Sequence, residues 1–315
     1  MSLLTTRLAP SPTGALHVGN ARTFLLNHLL AAQNGWRVLM RMEDLDGPRV
    51  KPHATQEVFD DLQWLGLQWL EPIVYQSQRK PAYDAALQQL IRGGWAYPCT
   101  CTRGDIAKAA SAPHQGEGLP PYPSTCRGRF ASADEAQQAK GKPAAWRIRV
   151  SDEPIVVQDA FAGDRTFVLP QSCGDFVICR NNGTTSYQLA VVIDDADAGI
   201  DAIVRGDDLL ESAARQIHLR SALGISPEPR YWHLPLVIGP DGIRIAKRHG
   251  DTRLSYYRKL GCTPQRMLGL LGYLCGLLER RAETDMGTLI ERFDLLRLSH
   301  EPCVFTKADD AFLRG

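Results

Sequence analysis

The sequence predicts an α/β protein: a parallel sheet flanked by helices, broken by an inserted α+β subdomain and followed by a helical region. Three observations carry this. Strand-like and helix-like segments alternate from Leu4 to about Trp95, a stretch rich in Pro, Gly, Ser and Cys runs from Pro98 to Gly128, and the alternation resumes near Ile200. Strands that alternate with helices are covered on both faces, which favours parallel pairing.

The elements follow in order. A short strand at 4–8 enters a Pro/Ser/Thr/Gly turn, and a helix follows with Phe24, Leu25, Leu29 and Leu30 at helical spacing and Gly35 as its stop. Val38, Met40 and Met42 alternate with Leu39 and Arg41 in a strand ending at Glu43. Helices are expected around 57–65 and 83–91, joined by a loop and stopped by Gly66 and by Gly93-Gly94. Short strands are expected at 146–150, 155–157 and 165–169. Asn181-Asn182-Gly183 signals a hairpin joining 176–179 to 186–190. The parallel sheet resumes at 200–204, with a helix at 209–223 and a strand at 234–238. From Leu254 the chain should be helical, with Met267, Leu268, Leu270, Leu271 and Leu274 on one apolar face and Leu289, Phe293 and Leu296 on another. The expected division is 1–95 and 191–252 for the two halves of the sheet domain, 96–190 for the insertion and 253–315 for the helical region.

With 44% hydrophobic and 23% charged residues, the 315-residue chain has ample material for a core. The net charge of +1 excludes a global basic field, so any RNA contact must come from local groups such as Arg127, Arg129, Lys140, Lys142, Arg147 and Arg149. No run is apolar and long enough to span a bilayer, and Met1–Thr5 is no signal peptide. Eight scattered cysteines suit a reducing compartment, so a cytoplasmic protein is expected, and a monomer.

The most informative segment is Arg7 to Asn20. A helix that begins just after a strand presents unpaired N–H groups and a positive dipole end, which suits a phosphate. Gly19 has no Cβ, so a flat base or ribose can approach the backbone closely. His17 and Asn20 add donors on the same turn, and Arg7, Ser11 and Thr13 crowd beside them. Ligands of open parallel sheets sit beyond the carboxyl ends of strands, where both Arg7 and Glu43 fall. Asp194, Asp195, Asp197, Asp207 and Asp208 are expected to cap helices and loops rather than hold magnesium.

This segment resembles the signature that opens class I aminoacyl-tRNA synthetases of the glutamyl and glutaminyl group, with His17-Val18-Gly19-Asn20 in place of His-Ile-Gly-His. The runs 175–178, 186–195 and 204–210 resemble the second half of that Rossmann-type catalytic domain. Arg244-Ile245-Ala246-Lys247-Arg248-His249-Gly250 resembles its Lys-Met-Ser-Lys-Ser loop, with Arg244 where lysine is usual and Ala246 where serine is usual. The resemblance implies ATP-dependent activation, with His17, Asn20 and Lys247 catalytic, His17, Gly19, Asn20 and Lys247 at ATP, and Mg²⁺ arriving with ATP. It implies L-glutamate as the acyl substrate, held at Arg7, Leu8, Ala9, Pro10, Ser11, Glu43, Tyr187 and Arg205. Two cations and one anion are what a dicarboxylic α-amino acid requires.

Cys99-Thr100-Cys101 with Tyr122 and Cys126 could form a tetrahedral, structural Zn²⁺ site in a segment too polar to build its own core; buried free cysteines are the alternative. A short chain with this insert, and no anticodon-binding region, resembles the glutamyl-queuosine tRNA(Asp) synthetase family. That family activates glutamate without tRNA and transfers it to queuosine in the anticodon loop of tRNA(Asp). A truncated glutamyl-tRNA synthetase and a non-catalytic RNA-binding paralogue are the alternatives. The second conflicts with the joint presence of His17, Lys247 and the glutamate positions.

Overall fold

The computed structural model describes residues 3–45, 50, 53–109, 120–245 and 250–315. The first half builds two β-α-β units: β1 (Thr5–Leu8), α1 (Val18–Asn34), β2 (Arg37–Met42), α2 (Ala54–Trp64), β3 (Leu70–Tyr75) and then α3 (Lys80–Arg92). β1, β2 and β3 pair in parallel in that spatial order. The loop expected before α3 therefore contains a strand. β3 is an edge strand with its first half exposed and Pro72 within it, so it carries neither the alternation nor the donor pattern of an inner strand.

The insertion comprises β4 (Ala96–Cys99), α4 (Arg103–Ala109), α5 (Ala133–Lys140), β5 (Ala145–Ile148), β6 (Ile155–Val157), β7 (Arg165–Phe167), the short α6 (Leu169–Ser172) and β8 (Val177–Cys179). β4, β5 and β8 form an antiparallel sheet, and β6 and β7 a separate hairpin. The turn at 180–184 exists, closed by Arg180 N–H to Thr184 O at 2.8 Å. The second hairpin strand expected at 186–190 does not: those residues open α7 (Tyr187–Asp197), capped by the Ser186 hydroxyl. A serine N-cap before an apolar run outweighed the Asn-Gly hairpin signal.

The sheet resumes with β9 (Ala202–Gly206), α8 (Leu210–Leu223) and β10 (Arg230–Leu234), the two strands pairing in parallel. Asp201 N–H donates to Thr5 O at 2.9 Å and sets β9 beside β1. The strand expected at 234–238 is two elements: β10 ends at Leu234, and β11 (Val237–Ile238) pairs instead with β12 (Cys303–Val304). Between them lie α9 (Leu254–Lys259), α10 (Pro264–Leu274) and α11 (Met286–Arg292); α12 (Lys307–Arg314) closes the chain. The apolar face expected on α10 is buried, as are Leu289 and Phe293, but Leu296 is 94% exposed. The helix stops at Arg292, so its period does not reach Leu296.

One hydrophobic cluster joins β1, β2, α1 and the C-terminal helices; a second lies between α3, α7, α8 and the insertion sheet. No helix among the described residues is long and apolar enough to cross a membrane.

Candidate functional site

The β1–α1 turn opens onto a recess of about 210 Å³ lined by Ala9, His17, Gly19, Asn20, Arg205, Gly206, Asp208 and Arg244, among others. His17 is the N-cap of α1, and its N–H donates to Asn20 Oδ1 at 3.4 Å. Its Nδ1 is buried without a partner. Burial, and then Arg244, push the His17 imidazole down to about 4, so it is a neutral ring at physiological pH. Gly206 ends β9 on the opposite wall. A Cβ there would lie 2.7 Å from Asp208 Oδ1 and 2.8 Å from Leu236 Cδ2, so any larger residue would have to push these two side-chain ends aside.

The basic loop begins at this recess. Arg244 donates to Asp208 at 2.5 Å. On the far side of the loop, Val18 N–H donates to Thr252 O at 3.0 Å and Leu254 N–H to Leu16 O at 2.9 Å. Both stems are thus tied to the mouth of the recess. Lys247 and Ala246 themselves lie outside the described residues.

A second recess, of about 160 Å³, is lined by Ser11, Glu43, Leu45, Gln76, Arg180, Thr185 and Tyr187. Behind it runs a buried ionic network. Arg7 Nε donates to Asp195 Oδ1 at 3.1 Å, and Arg41 donates to the same oxygen and, at 3.0 Å, to Glu43 Oε1. Burial and then Arg41 act in opposite directions on Glu43, and burial prevails, raising its carboxyl above the usual range. Asp195 is equally buried, yet Arg41 and Arg7 together hold it below that range. Burial, then the Glu43 carboxylate, pushes the Tyr187 phenol up. Glu43 N–H donates to Pro10 O at 2.9 Å, and Ser11 Oγ lies 3.2 Å from Thr13 Oγ1. The Leu8 side chain points into the core. Arg205 is held on β9 by three acceptors: His233 Nε2 at 2.9 Å, Gln216 Oε1 at 2.9 Å and Leu209 O at 3.3 Å.

Of the acidic residues set aside as caps, Asp194 and Asp195 are instead the buried anions of this network: Asp194 takes Arg79, Gln76 and the Tyr83 hydroxyl. Sequence reasoning missed Arg41, Asp195, Gln216 and His233. The one available signal was Arg41, a charge within an apolar strand two residues from Glu43.

In the insertion, the sulfurs of Cys99, Cys101 and Cys126 all lie within 4.8 Å of one another. Tyr122 Oη is 3.3 Å from Cys99 Sγ and 3.7 Å from Cys101 Sγ, and the Cys101 and Cys126 sulfurs are 3.5 Å apart. A tetrahedral ion with bonds of about 2.3 Å spaces its sulfurs by about 3.8 Å, so the four donors fit Zn²⁺. Deprotonated together, three sulfurs this close would need a cation between them. Gly174 seats Tyr122: it has φ of 65°, and a Cβ would fall 2.4 Å from Tyr122 O. Arg147 stacks on the Tyr122 ring at 3.8 Å and donates to Cys99 Sγ at 3.3 Å, while Arg127 binds Asp175. Arg149 donates to Gly94 O at 3.0 Å and Lys142 pairs with Asp105 at 3.7 Å, so at least four of the basic residues considered for RNA are engaged within the fold.

A recess at a helix N-terminus and a second recess backed by a buried ionic network both lie at the carboxyl ends of the parallel strands, where open α/β folds bind their ligands. Residues 3–309 match the family described as tRNA synthetases class I (E and Q), catalytic domain, and the chain belongs to that family. A protein of Rhodopirellula baltica named glutamyl-Q tRNA(Asp) synthetase is 43% identical over 96% of this chain and 97% of its own. One of the same name from Symbiobacterium thermophilum is 45% identical over 99% of each chain. Glutamate–tRNA ligase 1 of Halorhodospira halophila is 39% identical over 95% of this chain and 64% of its own. The glutamate-tRNA synthetase of Elizabethkingia anophelis shares the fold, with a TM-score of 0.82 at 24% identity, covering 99% of this chain and 70% of that one.

Proposed function

We propose that the protein activates L-glutamate with ATP, without needing tRNA, and transfers it to the queuosine base in the anticodon loop of tRNA(Asp). The observation that carries this is the identity of 43–45% with proteins named glutamyl-Q tRNA(Asp) synthetase over nearly the full length of both chains. The buried set of Arg7, Arg205 and Glu43 at one end of the sheet supports glutamate as the acyl group.

In the first step the glutamate α-carboxylate attacks the α-phosphorus of ATP and pyrophosphate leaves. The neutral His17 ring and the α1 N-terminus donate to phosphate oxygens as charge grows there, and Lys247 supplies the cation from the loop. Gly19 and Asn20 complete the nucleotide site, and Mg²⁺ enters with ATP. Arg7 and Arg205 face the carboxylates, Glu43 the ammonium, and Ser11 and Tyr187 supply hydroxyls, with the backbone of Leu8, Ala9 and Pro10 forming the floor. In the second step a hydroxyl of the queuosine cyclopentene-diol attacks the adenylate carbonyl, an ester forms and AMP leaves. Cys99, Cys101, Tyr122 and Cys126 would hold one structural Zn²⁺, which would fix the insertion within a protein of four parts: 1–95, 96–190, 191–252 and 253–315. A monomer working in the cytoplasm completes the reading. The test is transfer of labelled glutamate to bulk tRNA from cells with and without queuosine. Label confined to the first tRNA pool supports the proposal, and equal labelling of both overturns it.

A further inference from the structure

We infer that His233, locked by Asp159, is a positioning residue for Arg205, and that through this pair the insertion sets the affinity of the site for glutamate. The inference rests on the proposed role of Arg205 as a glutamate ligand. His233 and Arg205 are register partners in the parallel β9–β10 pair, so their side chains lie on one face of the sheet. His233 is 0% exposed, and Arg205 and Asp159 are 6% exposed.

The hydrogen bonds assign the tautomer. Arg205 can only donate, so His233 Nε2, 2.9 Å from Arg205 Nε, must carry the lone pair. The ring proton is then on Nδ1, and it is given to Asp159 Oδ2 at 2.6 Å. Asp159 is fixed in turn: its Oδ1 accepts from Phe161 N–H at 2.9 Å and Ala162 N–H at 2.6 Å, and its Oδ2 from His233 N–H at 3.1 Å. Tyr231 stacks on the His233 ring at 5.8 Å and 13°. A guanidinium held at Nε by a ring with one available tautomer keeps its outer nitrogens aimed in one direction. That is the function of an orienting carboxylate–imidazole pair.

Asp159 belongs to the insertion, two residues after β6. Its segment is laid alongside β10, with Ala160 N–H donating to Tyr231 O at 2.8 Å, and the adjoining Phe161 stacks on His300 at 4.4 Å. The position of the insertion is therefore linked to Arg205 through two hydrogen bonds.

The experiment is glutamate-dependent exchange of pyrophosphate into ATP, with ¹⁵N NMR of the His233 ring. His233→Leu should raise KM for glutamate about tenfold, the worth of a hydrogen bond to a charged group, with kcat and the KM for ATP little changed. His233→Gln should recover most of the loss, because its amide oxygen can accept from Arg205 Nε. Wild-type His233 should show the Nδ1–H tautomer. Asp159→Asn presents an amide N–H₂ to Nδ1 and should move the proton to Nε2, raising KM for glutamate as His233→Leu does. A wild-type ring protonated on Nε2 overturns the inference, as does equal impairment of the Gln and Leu variants. Arg205→Ala separates the two readings: if it leaves KM for glutamate unchanged, the assignment of Arg205 to glutamate fails, while the ring tautomer still decides whether His233 orients it.

Discussion

Arg7 Nε donates to Asp195 Oδ1 at 3.1 Å, and the two side chains are 5% and 4% exposed. The pair joins the end of β1 to the last turn of α7, across the point where the insertion interrupts the chain. Arg41 shares the same carboxylate and also holds Glu43, so one buried anion fixes the spacing of Arg7, Arg41 and Glu43 behind the recess.

Asp195→Asn should therefore damage substrate binding rather than the fold alone. The amide keeps the shape but leaves two buried guanidinium groups without their shared charge. We expect a loss of stability of about 3 kcal/mol, the cost of breaking a buried pair from one side. KM for glutamate should rise by a larger factor than KM for ATP. Pyrophosphate exchange at varied substrate and a urea titration measure the two effects, and an equal rise in both KM values would contradict the role given to Asp195.

The positions of many candidate-site residues were legible because they sit next to backbone signals. The strand–turn–helix at Arg7–Asn20 carries its own punctuation, and Arg205 ends a β-branched strand where ligands of such sheets are expected. What was not legible depends on contacts far apart in sequence. Asp195 looks like a helix cap in isolation, and only pairing with Arg7, 188 residues away, reveals it as a buried counter-ion. His233 lies in β10, whose hydrophobic pattern was assigned to the segment after it. β3 was invisible for a different reason: an exposed edge strand containing proline shows no inward-facing alternation.

Acid should loosen the insertion through Asp175. Burial alone would raise this carboxyl, yet Arg127, the Tyr97 and Ser124 hydroxyls and Val150 N–H hold it below the usual carboxylate range. A folded value depressed below the unfolded one gives stability that is present above about pH 4 and lost as pH falls through the folded value. Asp175→Asn should be less stable than wild type at neutral pH by about 3 kcal/mol, with a smaller further loss on acidification. Equilibrium unfolding from pH 7 to pH 2 compares them, and parallel curves would show that Asp175 is not the acid-sensitive group.

The Cys99, Cys101, Tyr122 and Cys126 cluster predicts about one zinc per chain in protein prepared without chelator. Cys101→Ser should lower that content. Because the site lies within the insertion, the change should weaken RNA transfer more than pyrophosphate exchange. Elemental analysis of the purified protein is the direct check, and an absence of metal would sink the assignment.

The acceptor is decided by separating the two ends of the tRNA. If the anticodon loop enters the pocket, a short stem-loop carrying queuosine should accept glutamate nearly as well as whole tRNA(Asp). The same stem-loop with guanine at the wobble position should not, because it lacks the cyclopentene-diol hydroxyl on which the ester forms. Periodate attacks both the terminal ribose diol and the queuosine diol, so oxidation alone separates the acceptors poorly. A minihelix that keeps the acceptor end and omits the anticodon loop is the sharper control. Charging of that minihelix, with none of the queuosine stem-loop, would make the protein a tRNA-charging enzyme and overturn the proposed acceptor.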